Sequence, residues 1–379
     1  MKILKTLRFL FFFGNFLLLF RNLSFKSRGT RYLIYFFILL DITISISNSV
    51  SCLYFKLYLR LSDFLYLNVT LVNSIILIIL SIYHSENLKS LLIVLNSQDD
   101  FMYKDEMYLK NLERKRKILL LVLIIYLGIK VLPSLLYSRY FAFGQDLPSI
   151  LVIIFKLNVV FWDARFLYEY IFMCALLYIF SEQLECIIRS VVREKRFIHA
   201  NFDNSDTSLN QLVCSQYVQK ISQWSEAFSH VEEAIKLFNI IFGVQFSIMI
   251  SSTIFYVTSF LYEMTDFIVH RHIGTAIAAN YLTRITIYHI QIFVLSRAGQ
   301  RLQNNVEHLK RRVTKIFVLS LTGTYFKTFS FNIISYYTSC RPRRRLPFGP
   351  LDVNMSLAPT FILLYTSYTI LALQFNNVV

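Results

Sequence analysis

Lys130, Glu169 and Arg284 interrupt three of the apolar runs of a 379-residue chain, and Trp162, Asp163 and Arg165 crowd into one of the same runs. A charge at the centre of a bilayer costs a few kcal/mol unless it is paired or faces water, so each needs a reason to be there. Counted from the basic ends of their runs at ~1.5 Å per residue, Lys130, Glu169 and Arg284 share one depth, slightly outside the midplane, with the other three nearer the outer boundary. Two kinds of chemistry fit. Together with Tyr168, Tyr262, Tyr281 and Tyr288, these groups could line an outward-open cavity for a small polar or amphipathic ligand. Alternatively they are structural ion pairs, since Arg165 and Glu169 are four apart, the spacing at which side chains meet along a helix. Bond-making chemistry is not expected. The nine glycines never fall closer than 15 residues apart, which excludes a phosphate-cradling loop, and there is no GxSxG or HExxH. His270 and His272 read as solvated loop residues rather than metal ligands. The five cysteines (Cys52, Cys174, Cys186, Cys214, Cys340) include no CxxC, so neither a zinc site nor a disulfide framework follows. No enzyme, cofactor or metal is expected.

A second constellation lies in the last apolar run. At 100° per residue, setting Ser356 at 0° puts Thr360 at about 40°, Ser367 at about 20° and Gln374 back at about 0°. The rest of that face is Leu363, Ile370 and Leu371, with Tyr368 and Phe375 as an aromatic edge beside it. One helix cannot enclose water, but several copies around a symmetry axis could turn such stripes inward and line a narrow conduit. The competing reading is that the hydroxyls bond their own backbone carbonyls and Gln374 bonds a neighbouring helix.

The elements that position these groups follow from composition. The chain is 55% hydrophobic and only 16% charged, against about a quarter charged in soluble domains, so most of it belongs in lipid. Runs of about 20 apolar residues, enough for a ~30 Å hydrocarbon core, occur at 32–55, 61–82, 118–137, 150–181, 237–261, 274–296 and 355–376. With the N-terminus inside, 31 of the 39 Lys and Arg fall in inner segments and four in outer ones, so the positive-inside rule predicts N-terminus in and C-terminus out. The net charge of +16 then reads as loops held at an anionic leaflet rather than as nucleic-acid binding.

Two further apolar stretches are not expected to span. Phe9–Phe20 is too short, and basic flanks suggest an interfacial or re-entrant helix rather than a signal peptide. Ile316–Ser339 lies between two basic clusters, one of which it would export if it crossed. Segments 83–117, 182–236 and 297–350 keep a helical period among their charges, so they should continue the membrane helices into an inner domain. The predicted fold is all-α: a seven-transmembrane-helix bundle with a helical inner anchor. It divides into 1–31, an inner N-terminal segment; 32–296, six spans with long inner extensions; 297–350, anchor helices; and 351–379, the seventh span.

Ser367–Phe375, SYTILALQF, resembles the C-terminal signature of insect gustatory receptors: Thr-Tyr, five apolar residues, then Gln-Phe. Tyr368, Gln374 and Phe375 match, and Ser367 replaces Thr while keeping the hydroxyl. Phe348–Asn354, FGPLDVN, is similar to the run preceding that helix in the family, with Pro350 as a departure. The resemblance implies a ligand-gated, non-selective cation channel of the plasma membrane, assembled as a homo- or hetero-tetramer and answering to small-molecule tastants, most often bitter ones. It makes Gln374 and Phe375 the gate and Ser367 and Tyr368 packing or pore-support positions; Thr360 joins the pore candidates by its place on the polar stripe. It also places tastants in an outer pocket among spans two to six, for which Trp162, Asp163, Arg165, Glu169, Tyr262, Arg284 and Tyr288 are the geometric candidates. A G-protein-coupled-type receptor would invert the basic loops, and a secondary transporter would carry internal repeats; neither pattern is present.

Overall fold

The computed structural model describes residues 2–54, 61–97, most of 105–128, 149–202, 207–270, 275–320 and most of 347–375. Eight helices organise them: α1 (Lys2–Phe16), α2 (Arg28–Tyr54), α3 (Leu61–Tyr83), α4 (Ser85–Ser97), α5 (Ser149–Phe202), α6 (Thr207–His270), α7 (Thr275–Ser320) and α8 (Leu357–Phe375), with further helical turns between residues 106 and 128. A two-residue antiparallel pair, Pro347–Phe348 with Leu351–Asp352, leads into α8. The chain is thus a helical bundle, as lipid requires of a span that must satisfy its own backbone. Among the described residues, five helices hold stretches long and apolar enough to cross a membrane, in α2, α3, α5, α6 and α8. The predicted sixth span opens α7, while much of the predicted third, Lys130 included, lies outside the described residues, as do 321–346 and His272.

The three central helices run far beyond a bilayer. The 54 residues of α5, 64 of α6 and 46 of α7 extend about 80, 95 and 70 Å at 1.5 Å per residue. Their apolar period persists past the spans read from the sequence: Leu184, Ile187 and Val191 on α5, Val231 and Ala234 on α6, and Leu302 and Leu309 on α7 are all buried. Between the described ends of α5 and α6 the sequence is polar and rich in Asn and Asp, NFDNSDTS. Pro359 is tolerated because it sits in the first turn of α8, where a missing amide leaves no bond unmade.

At this elongated end of the bundle, polar contacts tie the helices together. Arg301 of α7 reaches Glu182 and Glu185 of α5 at 2.7 Å each, and Asn305 donates to Ser181 Oγ at 2.8 Å. Asp105 caps a helical turn by accepting from the amides of Met107 and Tyr108, and its other oxygen accepts from Arg189 Nε at 2.9 Å. Partial burial pushes the Asp105 carboxyl up, but the Arg189 hydrogen bond and charge, with the two amides, outweigh it and hold the group below the ordinary carboxylate value. A carboxylate lowered in the folded state stabilises above its unfolded pKa of about 3.9 and loses that contribution as pH falls through the folded value. Asp105→Asn is therefore expected to cost about 1 kcal/mol at neutral pH and to flatten the acid limb of stability below about pH 4, read from melting temperature against pH.

The N-terminal segment enters the bundle rather than lying across its surface. Leu7, Leu10, Phe11 and Gly14, at helical spacing, are buried, while Phe12 and Phe16 stay outside. Phe11 meets the ring of Phe172 and Phe16 that of Phe161, so α1 runs antiparallel to α5. The chain then turns back. Leu19 N bonds Gly14 O and Leu18 N bonds Asn15 O, a Schellman closure whose left-handed residue is Leu18, at φ 61°. A side chain there costs about 1 kcal/mol, so packing of Leu17 and Leu19, each 1% exposed, must hold it. Phe9–Phe20 is too short to cross, yet its apolar face is complementary to α5.

Candidate functional site

Arg165 and Glu169 do not pair with each other, which corrects the structural alternative suggested by their spacing. Arg165 is 1% exposed and spends its whole fork across elements: Nε donates to Leu17 O at 2.7 Å, one terminal nitrogen to Ser74 Oγ at 2.7 Å, and the other to Asp41 Oδ2 at 2.8 Å. Glu169, fully buried, is gripped by Arg21 from the returning N-terminal segment, Nε to Oε1 at 3.2 Å and a terminal nitrogen to Oε2 at 2.6 Å. Arg21 also donates to Gln245 Oε1 at 2.6 Å and lies 4.6 Å from the centre of the Phe242 ring and 5.5 Å from that of Phe172. A helix places i and i+4 side by side, but a guanidinium in low dielectric needs a partner that fills its planar fork, and the facing elements supply it better. Both groups are thus engaged by partners from other elements. Two partners escaped the sequence reading: Asp41, an acid inside the first predicted span, and Arg21, at the edge of the short apolar stretch. The first carried a readable signal, because an acid in a span must find a cation.

The other pocket candidates divide. Trp162, 2% exposed, donates to Ser45 Oγ at 3.3 Å, and Tyr168 donates to Leu10 O at 2.9 Å beneath Gly14, where an added Cβ would stand 2.5 Å from the phenol oxygen. Both belong to the packed seam between α5 and its neighbours. Asp163, Arg284 and Tyr288 instead converge on one aromatic cluster. Tyr66 donates to Asp163 Oδ1 at 3.0 Å, and the Arg284 guanidinium lies 5.3 Å from the Tyr66 ring and 5.5 Å from that of Phe260. Tyr256, Tyr281 and Tyr288 complete the cluster, with Tyr256 and Tyr288 centred 5.6 Å apart and Phe260 and Tyr281 5.5 Å apart. Tyr262 is half-buried on α6 nearby in sequence. This arrangement brings flat aromatic faces together with one carboxylate and one guanidinium. Among the described residues, no group of three His, Cys, Asp or Glu is placed to hold a metal.

On α8, packing selects one face. Leu357, Phe361, Thr369 and Leu373 are buried against α6 and α7, with Tyr365 half-buried between them. In the frame that sets Ser356 at 0°, those five fall between about 100° and 260°. Ser356, Thr360, Ser367 and Gln374 are exposed on the opposite side, as are Leu363, Ile370 and Leu371, while Tyr368, at about 120°, is exposed at the margin of the packed face. Thr360 Oγ1 donates to Ser356 O at 2.8 Å and Ser367 Oγ to Leu363 O at 2.9 Å. The hydroxyl protons thus go to the helix's own carbonyls, while each oxygen keeps lone pairs free to accept from outside. For Phe375, the described structure extends to its backbone in the last helical turn.

The base of α8 docks on α7. Val353, 1% exposed, sets its backbone carbonyl against Gly299, and Met355 N donates to Gln300 Oε1 at 3.3 Å. Higher up, His289 of α7 meets Tyr365, with Nε2 2.7 Å from the phenol oxygen. Neither contact is announced by spacing, since both join residues more than 50 positions apart.

No protein-family model and no curated protein sequence matches the chain. Solved structures do. The insect olfactory receptor OR5 from Machilis hrabei in complex with eugenol superposes with a TM-score of 0.62 over 92% of this chain and 91% of that one, at 12% identity. A second structure of that receptor gives 0.61 over 92% and 90%, at 14% identity. The chain shares the fold of these receptors nearly end to end.

Proposed function

We propose that the chain is a chemoreceptor subunit that forms a ligand-gated, non-selective cation channel in the plasma membrane, assembled as a tetramer around α8, and that it serves taste, detecting bitter or other small soluble compounds. The observation that carries the reading is the terminal helix: its polar stripe faces away from the chain's own bundle while the opposite face is packed on α6 and α7. The Thr360 and Ser367 hydroxyls donate to their own helix, but their free lone pairs and the Gln374 amide suit a shared aqueous axis better than lipid. The full-length fold likeness to an insect olfactory receptor supports the class, and the SYTILALQF signature supports the gustatory branch. The eugenol complex of that neighbour makes a small ring-bearing ligand a reasonable occupant for the cluster of Tyr66, Asp163, Tyr256, Arg284 and Tyr288. Inner N-terminus and outer C-terminus follow from the basic loops.

Expression of the full chain in cells lacking related receptors, with cation currents recorded, tests it. Wild-type protein at the cell surface should pass cation current. Gln374→Ala or Phe375→Ala should change the spontaneous current or the relative permeability to sodium and potassium by roughly threefold or more, a shift of about 0.7 kcal/mol. Surface-expressed wild-type chain that conducts nothing, alone or with sister subunits, would rule the channel reading out, and unchanged conduction in both variants would remove those residues from the gate.

A further inference from the structure

Tyr288 and His289 are consecutive on α7 and therefore point about 100° apart. The first joins the buried aromatic cluster; the second leaves it. Tyr288 is 5% exposed, with ring centres 5.6 Å from Tyr256 and 6.4 Å from Phe166 and Phe260. His289 turns to α8, where its ring stands edge-on to Tyr365 at 5.2 Å and to Phe361 at 5.8 Å, while those two rings lie 5.3 Å apart. Its hydrogen bonds are directional. Nδ1 lies 2.8 Å from Ile285 O, and a carbonyl can only accept, so Nδ1 carries the proton. In the neutral ring Nε2 is then an acceptor, and the Tyr365 hydroxyl donates to it at 2.7 Å. The imidazole is thereby fixed in both orientation and tautomer by its own helix and presented to the next.

We propose that His289 is a positioning residue that couples the aromatic cluster to the terminal helix: displacement of the Tyr288 ring moves α7 about its axis, and the His289–Tyr365 bond carries that movement into α8. The inference rests on the reading of α8 as the pore helix. Two physical features make this contact a better transmitter than the apolar packing around it. A half-buried hydroxyl in an apolar setting loses heavily if its acceptor moves away, so the bond resists sliding where alkyl side chains would repack. The contact is also spaced from the second anchor of α8 on α7, the Gly299–Val353 approach, by ten residues of α7, about 15 Å. Two anchors at different heights allow α7 to tilt α8 rather than merely hold it.

A zinc ion is the probe that separates coupling from packing. Tyr365→His would set two imidazoles face to face across the α7–α8 contact, a pair that can bind zinc at ~2 Å per nitrogen. In full-length protein at the cell surface, micromolar zinc is expected to change the spontaneous cation current several-fold in Tyr365→His. It should leave wild-type and the double variant His289→Ala/Tyr365→His unaltered. Tyr365→Phe, which keeps the ring contacts and removes only the hydroxyl, should change the spontaneous current with surface level unchanged. Purified Tyr365→His protein supplies the second measurement: zinc should raise its melting temperature relative to the double variant. A melting shift without a change in current would overturn the coupling and leave a structural contact; no shift at all would overturn the contact itself. Wild-type chain that carries no current removes the channel reading and this inference with it, and is told apart because the zinc-dependent melting shift would persist.

Discussion

Arg21→Ala is expected to destabilise the folded chain by about 3–5 kcal/mol, enough to remove most of it from the cell surface. The size follows from what is left behind. Glu169 is fully buried and has Arg21 as its ion-pair partner at 2.6 Å, so truncating the arginine strands a carboxylate in low dielectric, the costly way to break a buried pair. Gln245 loses a hydrogen bond at 2.6 Å and the Phe172 and Phe242 rings lose their cation. Arg21→Lys should recover only part, because a single ammonium cannot serve two carboxylate oxygens and an amide at once. By contrast, Arg21→Met with Glu169→Met removes both charges together and should cost less than either single variant. Melting temperature in detergent and surface labelling measure them all. His84 gives an independent readout: burial first, and the Arg21 charge second, hold its imidazole below the ordinary histidine value. In any folded Arg21→Met/Glu169→Met protein, that value should rise. A double variant as unstable as Arg21→Ala would overturn the account.

Gly299→Ala should be strongly damaging for a single added methyl group. A Cβ at that position would overlap the Val353 carbonyl oxygen and stand 2.7 Å from its Cγ1. The first of these is backbone and cannot swing aside, so either α7 or the entry to α8 must shift. Overpacking of this kind costs about 1–3 kcal/mol, and here the strain falls on the elbow that aims the terminal helix. Loss should therefore appear twice, as a lowered melting temperature and as altered conduction in whatever fraction reaches the surface. Gly29 is the control: it lies in α2, where a Cβ would meet nothing within 4 Å, and Gly29→Ala should be neutral or stabilise by up to about 1 kcal/mol through lost chain entropy. Equal effects at the two glycines would sink the docking argument.

Much of the architecture was legible without coordinates, for identifiable reasons. Six of the seven apolar runs begin within a few residues of a described helix or lie inside one, since a segment that must satisfy its backbone in hydrocarbon has little alternative to α-helix. The long extensions of α5, α6 and α7 followed from an apolar period that did not stop where the spans did. The polar stripe of α8 also followed, because Ser356, Thr360, Ser367 and Gln374 share a face in any straight helix.

Partnership was not legible. Glu169 stands four residues from Arg165, yet the two join Arg21 and Asp41, 148 and 124 positions away. Spacing along one helix says which side chains can meet, not whether a facing element offers a better fit to a guanidinium fork. The same holds for His289 with Tyr365 and for Gly299 with Val353. The chain by itself therefore determined its helical spans and which residues share each face, both of which depend on bond geometry and on the cost of exposing backbone to lipid. Tertiary structure alone decided which face turns inward and which distant residue answers each buried charge, because those choices are settled by competition among surfaces that meet only once the bundle has closed.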